Sequence, residues 1–378
     1  MSPSLRVDRV RTEADRRAFL SLPYQLYRAD PNWTPRLWPE QMSWLRRQHT
    51  FFELGDAEWY IARRDGDVVG TIGVAVDHHW NRHLQRSWGV FGFFEFVQDS
   101  AVFAALADQA RAWLQARGMT DMMGPQSFGP NDFPGFLVRR FDLPASLFEG
   151  HSPPYYVQMA EQAGWRKYGD AIAYRLICPR RGSGASLLPP SMERIAARAL
   201  RNPRYGIRQA EKRHLEREVR HILRLYNRGL GTLPRFAPLT EGELSTFVED
   251  LMPVLDEELA LFALADGEEV GFALAIPNLA EAFGRSGGLR RPWNYAQLWW
   301  SSRHLTSVSF KILVMDPDYW TRGIEVLMYR RLAEVIARRG YEWVDFSLTG
   351  EDNPQTNKLA AHFGLEEYKR YRTFQAEV

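Results

Sequence analysis

The chain has 378 residues, of which 45% are apolar and 25% charged, with a formal net charge of +2 at pH 7. This length favours two domains, and the small net charge gives no reason to expect a nucleic-acid partner. A single cysteine, Cys178, excludes an internal disulfide framework. No apolar run approaches the ~20 residues of a membrane span, and the N-terminus lacks the apolar core of a signal peptide. The sequence therefore predicts a soluble, cytoplasmic protein.

The first half begins with a strand and two helices and continues with a hairpin. The apolar spacing predicts, in chain order, a strand at 5–10, a helix at 12–28, a turn and second helix at 31–47, a hairpin at 59–77 and a buried strand at 87–97. Asp65-Gly66 between two apolar runs is a strong hairpin signal. A helix should follow, with Asp99 or Ser100 as its cap and Gly118 at its end.

The second half repeats this order. The DGxxVG at 65–70 recurs at 266–271, 201 residues later, and Gly164 and Tyr168 recur 200 residues later as Gly364 and Tyr368. Several matches in one order at a nearly constant offset indicate two copies of one fold. We expect an N-terminal domain over 1–178, a linker over 179–203, and a C-terminal domain over 204–378.

The clearest unit of the second half is a strand, a helix and a second strand over residues 309–349. Arg338, Arg339 and Gly340 are typical of a helix end. A helix N-terminus offers unpaired backbone N–H groups that suit a pyrophosphate, and Gly323 would let a ligand approach the backbone closely. An ordinary strand–helix connection explains the same pattern equally well.

The element order in each copy resembles the GNAT (Gcn5-related) acyltransferase superfamily. A closer resemblance, to tandem bacterial GNAT-like proteins, is carried by LYRADPNWTPRL (26–37), VFGFFEFVQD (90–99), FGPNDFPGFLV (128–138), HSPPYY (151–156) and YKRYRTF (368–374). The resemblance implies an α/β fold of two tandem domains, each with a mixed, mostly antiparallel sheet flanked by helices. It also implies acyl transfer from acyl-CoA, as co-substrate, to an amine.

The superfamily binds the CoA pyrophosphate at a Q/R-x-x-G-x-G/A motif, from which this chain departs. In the second half only Gly323 remains and Glu325 adds a negative charge, while residues 95–100 of the first half have no glycine and two acids. The resemblance therefore implies that the first domain has lost cofactor binding and that the second keeps an altered form. The residues it implies are Val314, Met315, Trp320, Thr321, Arg322, Gly323 and Ile324.

Four side chains are candidate catalytic groups. Glu95 ends the buried strand of the first half, and Asp316 is its predicted equivalent in the second. A carboxylate there could be a general base with a raised pKa, or an ordinary strand-end or capping acid. Alanines at 160 and 360 replace the tyrosine that the superfamily often uses as general acid. Tyr155 or Tyr156 could replace it, although packing is the usual role of such aromatic residues.

Polar loops at strand ends are candidate substrate sites. Asn131 and Asp132 lie in the rigid loop 128–136, and Glu351 and Asn353 lie in the loop 349–357. Turn formation and helix capping are the alternatives. The aromatic insertion 290–305 could touch a membrane surface or line a channel for a long acyl chain, with plain packing as its alternative.

Two functions stay open. One is CoA-dependent N-acyltransfer to a small-molecule or lipid-like amine, with an acyl group that the insertion allows to be longer than acetyl. The other is a non-catalytic protein whose inter-domain cleft binds a ligand or partner. The eroded glycines favour the second, and the intact hairpins and dense polar loops favour the first. The histidines form no metal-ligand pattern, so no metal site is predicted.

Overall fold

The computed structural model describes residues 4–126, 128, 135–231, 236–252 and 254–378. Its strands are β1 (Leu5–Arg9), β2 (Gly55–Arg64), β3 (Asp67–Asp77), β4 (Trp88–Phe96), β5 (Asp121–Gly124), β6 (Phe136–Arg139), β7 (Arg166–Ile177), β8 (Tyr205–Gln209), β9 (Ala260–Ala265), β10 (Glu268–Pro277), β11 (Ser307–Met315), β12 (Trp343–Gly350) and β13 (Glu366–Glu377). Its α-helices are α1 (Glu13–Leu26), α2 (Trp38–Leu45), α3 (His78–Leu84), α4 (Ser100–Gln115), α5 (Tyr155–Gln162), α6 (Pro190–Ala199), α7 (Leu215–Leu230), α8 (Glu241–Leu251), α9 (Ala280–Arg285), α10 (Asn294–Ser301), α11 (Ile324–Arg339) and α12 (Pro354–Phe363).

The strands of the described residues form one sheet that runs through both halves. Their order is β1-β2-β3-β4-β5-β13-β7-β12-β11-β10-β9-β8, with β6 pairing with β13 beside this path. The last strand of the second half, β13, thus lies between β5 and β7 of the first half. In turn, β7 pairs with β12 of the second half. The two halves therefore exchange their final strands at the centre of the sheet.

The exchange places second-half side chains in the first-half core. Phe374 of β13 is paired with Gly124 of β5 and is only 1% exposed. Its ring lies 6.2 Å from that of Phe136 and 6.5 Å from that of Trp165. Neither half completes its sheet alone, and the exact domain boundaries stay a prediction.

The predicted linker 179–203 contains a packed helix. Pro190 occupies the first turn of α6, where the missing N–H of proline costs nothing. Met192, Ala196 and Ala199 are buried in the second-half core, and α6 packs against α11. This segment is therefore an element of the fold rather than a free tether.

The local predictions of hairpins and helices are confirmed. The turn residues Asp65 and Gly66 between β2 and β3 both have positive φ, and so do Asp266 and Gly267 between β9 and β10, as a tight two-residue hairpin requires. The predicted apolar face of α11 is buried against the second-half sheet, and Gly340 ends the helix in the left-handed conformation.

We expect Phe374→Ala to lower the free energy of unfolding by about 3–5 kcal/mol, as is usual for a deleted core phenylalanine. Since the ring packs in the first half, hydrogen exchange should increase in β5 and β7. Phe374→Leu keeps most of the apolar volume and should cost less than half as much. Faster exchange confined to second-half elements would contradict the shared core.

Candidate functional site

The carboxylate of Glu95 lies at the end of β4, just after a bulge. The pairing of β4 with β3 shifts register between Thr71 and Gly73, and Phe93 has a φ of 49°. Bulges of this kind commonly re-aim a side chain next to an active site. After this bulge, Glu95 pairs with Thr71 near the C-terminal end of β4.

Glu95 is held by two tyrosine hydroxyls. Its Oε2 accepts hydrogen bonds from the Tyr27 and Tyr156 hydroxyls, each at 2.8 Å. Burial raises the pKa of Glu95 to about 7, although both hydroxyl donors and the charge of Arg36 act in the opposite direction. A carboxyl group that titrates near neutral pH suits a general base.

The two predicted tyrosines have different positions. Tyr156 is fully buried. Its hydroxyl donates a hydrogen bond to Glu95 and accepts one from the backbone N–H of Phe96 at 2.9 Å. Tyr155 instead donates to the Phe96 carbonyl at 2.6 Å. Burial raises the pKa of Tyr155 to about 12 and that of Tyr156 well above its usual value, so both are protonated at neutral pH. Their role as catalytic acids stays a prediction.

Sequence reasoning did not single out Tyr27 and His151 as a pair. The Tyr27 hydroxyl lies 3.3 Å from the His151 carbonyl oxygen, and His151 Nε2 lies 2.8 Å from Asp30 Oδ2. Trp33 stacks on Tyr27 at a ring distance of 5.1 Å. Residues of the motifs at 26–37, 90–99 and 151–156 therefore meet at one place. These three motifs are the signal in the sequence that could have indicated the site.

The second half contains an apolar cavity of about 300 Å³. The parallel strands β11 and β12 pair as far as Phe310 and Phe346. The residues that directly follow this last pair line the cavity, namely Lys311, Ile312, Ser347 and Leu348. Helices α7 and α8 supply much of the remaining wall, including Ile222, Tyr226, Leu244, Phe247 and Val248. The cavity thus lies where the two strands separate.

The corresponding gap in the first half is closed. Strands β4 and β5 pair as far as Val90 and Met123, and the Gln126 N–H then donates to the Phe91 carbonyl at 2.8 Å. A Cβ atom on Gly92 would lie 2.0 Å from the Gln126 carbonyl oxygen. The first half therefore offers the carboxylate, and the second half offers the apolar space.

One short segment joins these two places. Phe148 lines the cavity, and His151, three residues later, contacts Tyr27 beside Glu95. Between them, the Leu147 carbonyl accepts a hydrogen bond from Lys311 Nζ. The segment 147–151 therefore connects the cavity wall to the Glu95 site.

A buried polar network lies beneath this segment. The Tyr368 hydroxyl lies 2.9 Å from Glu149 and 3.0 Å from Asp345. Burial and the charge of Asp345 raise the pKa of Glu149, and burial lowers the pKa of Lys369. In the part of the chain that the structure describes, Lys369 Nζ has no hydrogen-bond partner. The exchanged strand β13 thus carries buried titratable groups into the centre of the sheet.

Asp316 does not occupy the position equivalent to Glu95, so that prediction is wrong. Phe96 pairs with Gly70, and Met315 pairs with Gly271, the repeat of Gly70. The counterpart of Glu95 is therefore Val314. Asp316, two residues further on, forms an ion pair with Arg228 at 3.1 Å and accepts the Asp318 N–H at 3.1 Å.

The start of α11 does not fit a pyrophosphate as it is arranged. A Cβ atom on Gly323, whose φ is 86°, would lie 3.0 Å from Ile195 of α6. Glu325 adds an acidic side chain to the first turn of the helix, and burial raises the pKa of its carboxyl group. The seven residues predicted to bind the cofactor differ in how exposed they are. Thr321 and Arg322 are exposed and Trp320 is half-buried, whereas the other four are buried, namely Val314, Met315, Gly323 and Ile324. Placement of CoA here stays a prediction.

The start of α4 also holds a carboxylate. Asp99 Oδ1 accepts the N–H groups of Ala101 at 2.8 Å and Val102 at 3.4 Å. Its second oxygen pairs with Arg64 at 2.7 Å. Loss of cofactor binding from the first half stays a prediction.

The predicted substrate residues have structural partners where the structure describes them. Glu351 pairs with Lys167 at 2.7 Å and accepts the Asp170 N–H at 3.1 Å. Asn353 caps α12 by accepting the Thr356 N–H at 3.2 Å. Asn131 and Asp132 lie outside the described residues. Substrate binding by these four residues stays a prediction.

No family model matches the chain. It is 28% identical over 374 residues to the bacterial ceramide synthase of Caulobacter vibrioides, covering 97% of this chain and 96% of that protein. It is 27% identical over 373 residues to protein YghO of Escherichia coli, covering 96% and 93%. Among solved structures, a tandem GNAT protein from the clavulanic acid biosynthesis pathway aligns with a TM-score of 0.58 and 12% identity, covering 99% and 98%. The chain has the tandem GNAT fold, which confirms the predicted fold class.

We expect Glu325→Gln to tighten the binding of free CoA roughly fivefold, because the placement predicted from sequence sets a phosphate beside this carboxylate at a helix N-terminus. Asp99→Asn is the matched control at α4 and should leave the affinity unchanged. Isothermal titration calorimetry would measure both. Tightening by Asp99→Asn alone would move the phosphate to the first half.

Proposed function

We propose that this protein transfers an acyl group from an acyl-CoA thioester to the nitrogen of a lipid-like amine. The observation that carries the proposal is the carboxyl group of Glu95, which has a pKa of about 7 and lies between the Tyr27 and Tyr156 hydroxyls. The tandem GNAT fold supports a thioester donor. The relative named a ceramide synthase supports acylation of a long-chain amine, since a ceramide is a sphingoid base acylated on nitrogen.

Glu95 is the group that receives the proton of the amine. The amine nitrogen attacks the thioester carbonyl carbon, the C–N bond forms, and the C–S bond breaks with release of the thiolate. The proton lost by the nitrogen passes to Glu95 and then to the leaving sulfur. A base that titrates near the working pH is efficient in both transfers. The Tyr27 and Tyr156 hydroxyls hold the carboxylate in place.

The apolar cavity supports a substrate with a long chain. Its volume is about 300 Å³, and α7 and α8 line it with aliphatic and aromatic side chains. Burial of each methylene group contributes about 0.8 kcal/mol, so such a cavity favours long chains over acetyl. Lys311 and Ser347 add polar groups beside the separating strands.

A second candidate is a non-catalytic protein that binds an apolar ligand. The carboxylates of Asp99 and Glu325 at the two helix starts favour this alternative, because both repel the phosphates of CoA. Thermal unfolding with a long-chain acyl-CoA, free CoA and a free fatty acid separates the candidates. Stabilisation by the fatty acid alone supports the binding protein, and stabilisation by the thioester supports the transferase.

We expect Glu95→Gln to lower kcat by about 10²–10⁴-fold, the usual contribution of a general base, with KM nearly unchanged. In the wild type, kcat/KM should rise with pH through about 7 as Glu95 loses its proton. The variant should lack this rising limb of the pH–rate profile. Thiol release from a long-chain acyl-CoA with a long-chain primary amine would measure both.

Two companion variants complete this test. Tyr27→Phe removes a hydroxyl that lowers the pKa of Glu95, so the limb should move to higher pH. Glu334→Gln removes an exposed carboxylate on α11 that is paired with Arg330 and should leave this pH dependence unchanged. A wild-type rate for Glu95→Gln would refute the proposed base.

Val248 on α8 offers a test of the cavity. We expect Val248→Phe to lower kcat/KM for long acyl or amine chains while short chains react normally, because the ring fills part of the lined space. Val248→Ala enlarges the space and should shift the preference toward longer chains. Competition between substrates of graded length would measure the preference. An unchanged preference in both variants would exclude the cavity as the chain site.

A further inference from the structure

Helix α10 has an inverted pattern of burial. Asn294 and Ser301, two turns apart on one face, are buried against the protein. Four large aromatic residues at and around the helix are instead exposed by 54–59%. They are Trp293, Tyr295, Trp299 and Trp300. A surface helix of a soluble domain normally buries its apolar face, so this face has no partner within the described residues.

The helix stands on a well-defined base. Asn294 accepts the Arg291 N–H at 2.8 Å and donates to Gln297 at 2.6 Å. The preceding turn rests on the first half, where the Tyr24 hydroxyl donates to the Gly287 carbonyl at 3.2 Å. A Cβ atom on Gly288 would lie 2.4 Å from a backbone oxygen of the first half. The aromatic face is therefore presented by an anchored helix.

The surroundings of this face are positively charged. The sequence has no Asp or Glu from 282 to 315, but it has arginines at 285, 290, 291 and 303. The Arg303 guanidinium lies 3.5 Å from the centre of the Trp299 ring, and that of Arg291 lies 5.2 Å from the Trp293 ring. The whole chain carries a net charge of only +2, so this acid-free stretch is basic relative to the rest of the sequence.

We propose that this aromatic face, residues 293–303, docks on a lipid bilayer that carries anionic headgroups. Trp and Tyr rings prefer the interface between headgroups and acyl chains, and arginines pair with lipid phosphates. No helix in the described part of the chain is long and apolar enough to cross a membrane, so the contact is peripheral. A second copy of the chain fits less well, because two such faces would bring like charges together.

The docked face is connected to the candidate site by aromatic contacts. Tyr24, which supports the turn before α10, lies 5.1 Å from Trp33, and Trp33 stacks on Tyr27 beside Glu95. Under the proposed function, these contacts make α10 the side of the molecule from which a lipid-like amine of the bilayer would reach Glu95. This last step rests on the proposed function, whereas the docking itself does not.

Vesicle flotation of the full chain tests the docking. The probes are vesicles of phosphatidylcholine alone and of phosphatidylcholine mixed with phosphatidylglycerol. We expect the wild type to bind the anionic vesicles, and to bind them less at high salt. The double variant Trp299→Ser/Trp300→Ser should lower the bound fraction roughly tenfold, since it removes two interfacial indoles.

The chain offers a matched control. Ile177 ends β7 and Leu200 follows α6, and they are 59% and 58% exposed. Neither belongs to the aromatic face, so the double variant Ile177→Ser/Leu200→Ser should bind like the wild type. Equal binding of all three proteins would overturn the proposal. A wild type that is dimeric in solution, with a tryptophan variant that is monomeric but still binds vesicles, would assign the face to a second copy and would also overturn it. Acyl transfer to a water-soluble amine should be normal in both variants, so failure of docking and failure of the transferase function are distinguishable.

Discussion

The antiparallel pairing of β7 with β13 is the contact on which the rest of the molecule depends. Each strand ends one copy of the repeated unit, and each also pairs with a strand of the other copy. The Asp170 carboxylate of β7 accepts a hydrogen bond from the Arg372 guanidinium of β13 at 2.9 Å. It also forms an ion pair with Arg370. A buried carboxylate with two guanidinium partners fixes the register of this pair. The relative position of the two halves is therefore set inside the sheet.

That fixed geometry allows the two copies to specialise. The first copy has Glu95 at the end of β4 but a closed gap between its parallel strands. The second copy has Val314 at the equivalent position, and its open gap leads to the apolar cavity. Within the described residues, the buried carboxyl group thus belongs to the first copy and the apolar cavity to the second. Segment 147–151 contacts both places, so under the proposed function both copies are needed for the complete site.

Local features of the fold were predictable, and long-range ones were not. The DG hairpins and the apolar face of α11 follow from short-range chemistry and periodicity. The contacts of Tyr27 join residues 68 and 124 positions apart, so no local pattern reveals them. The apolar run before Asp316 predicts it as the counterpart of Glu95, whereas the pairing with the repeated glycine gives that position to Val314. Helix α6 was not predicted, because the Gly, Ser and Pro residues before it are typical of a linker.

The aromatic face, the cavity and Glu95 address one physical problem. Each methylene that leaves an apolar environment for water costs about 0.8 kcal/mol, so a long-chain amine is poorly delivered through solvent. A face at α10 that enters the headgroup region shortens the aqueous path. Under the proposed function, the cavity of about 300 Å³ would then replace the bilayer as the apolar environment of a chain. Under the proposed function, only the polar end of the amine has to meet the half-buried carboxyl group of Glu95.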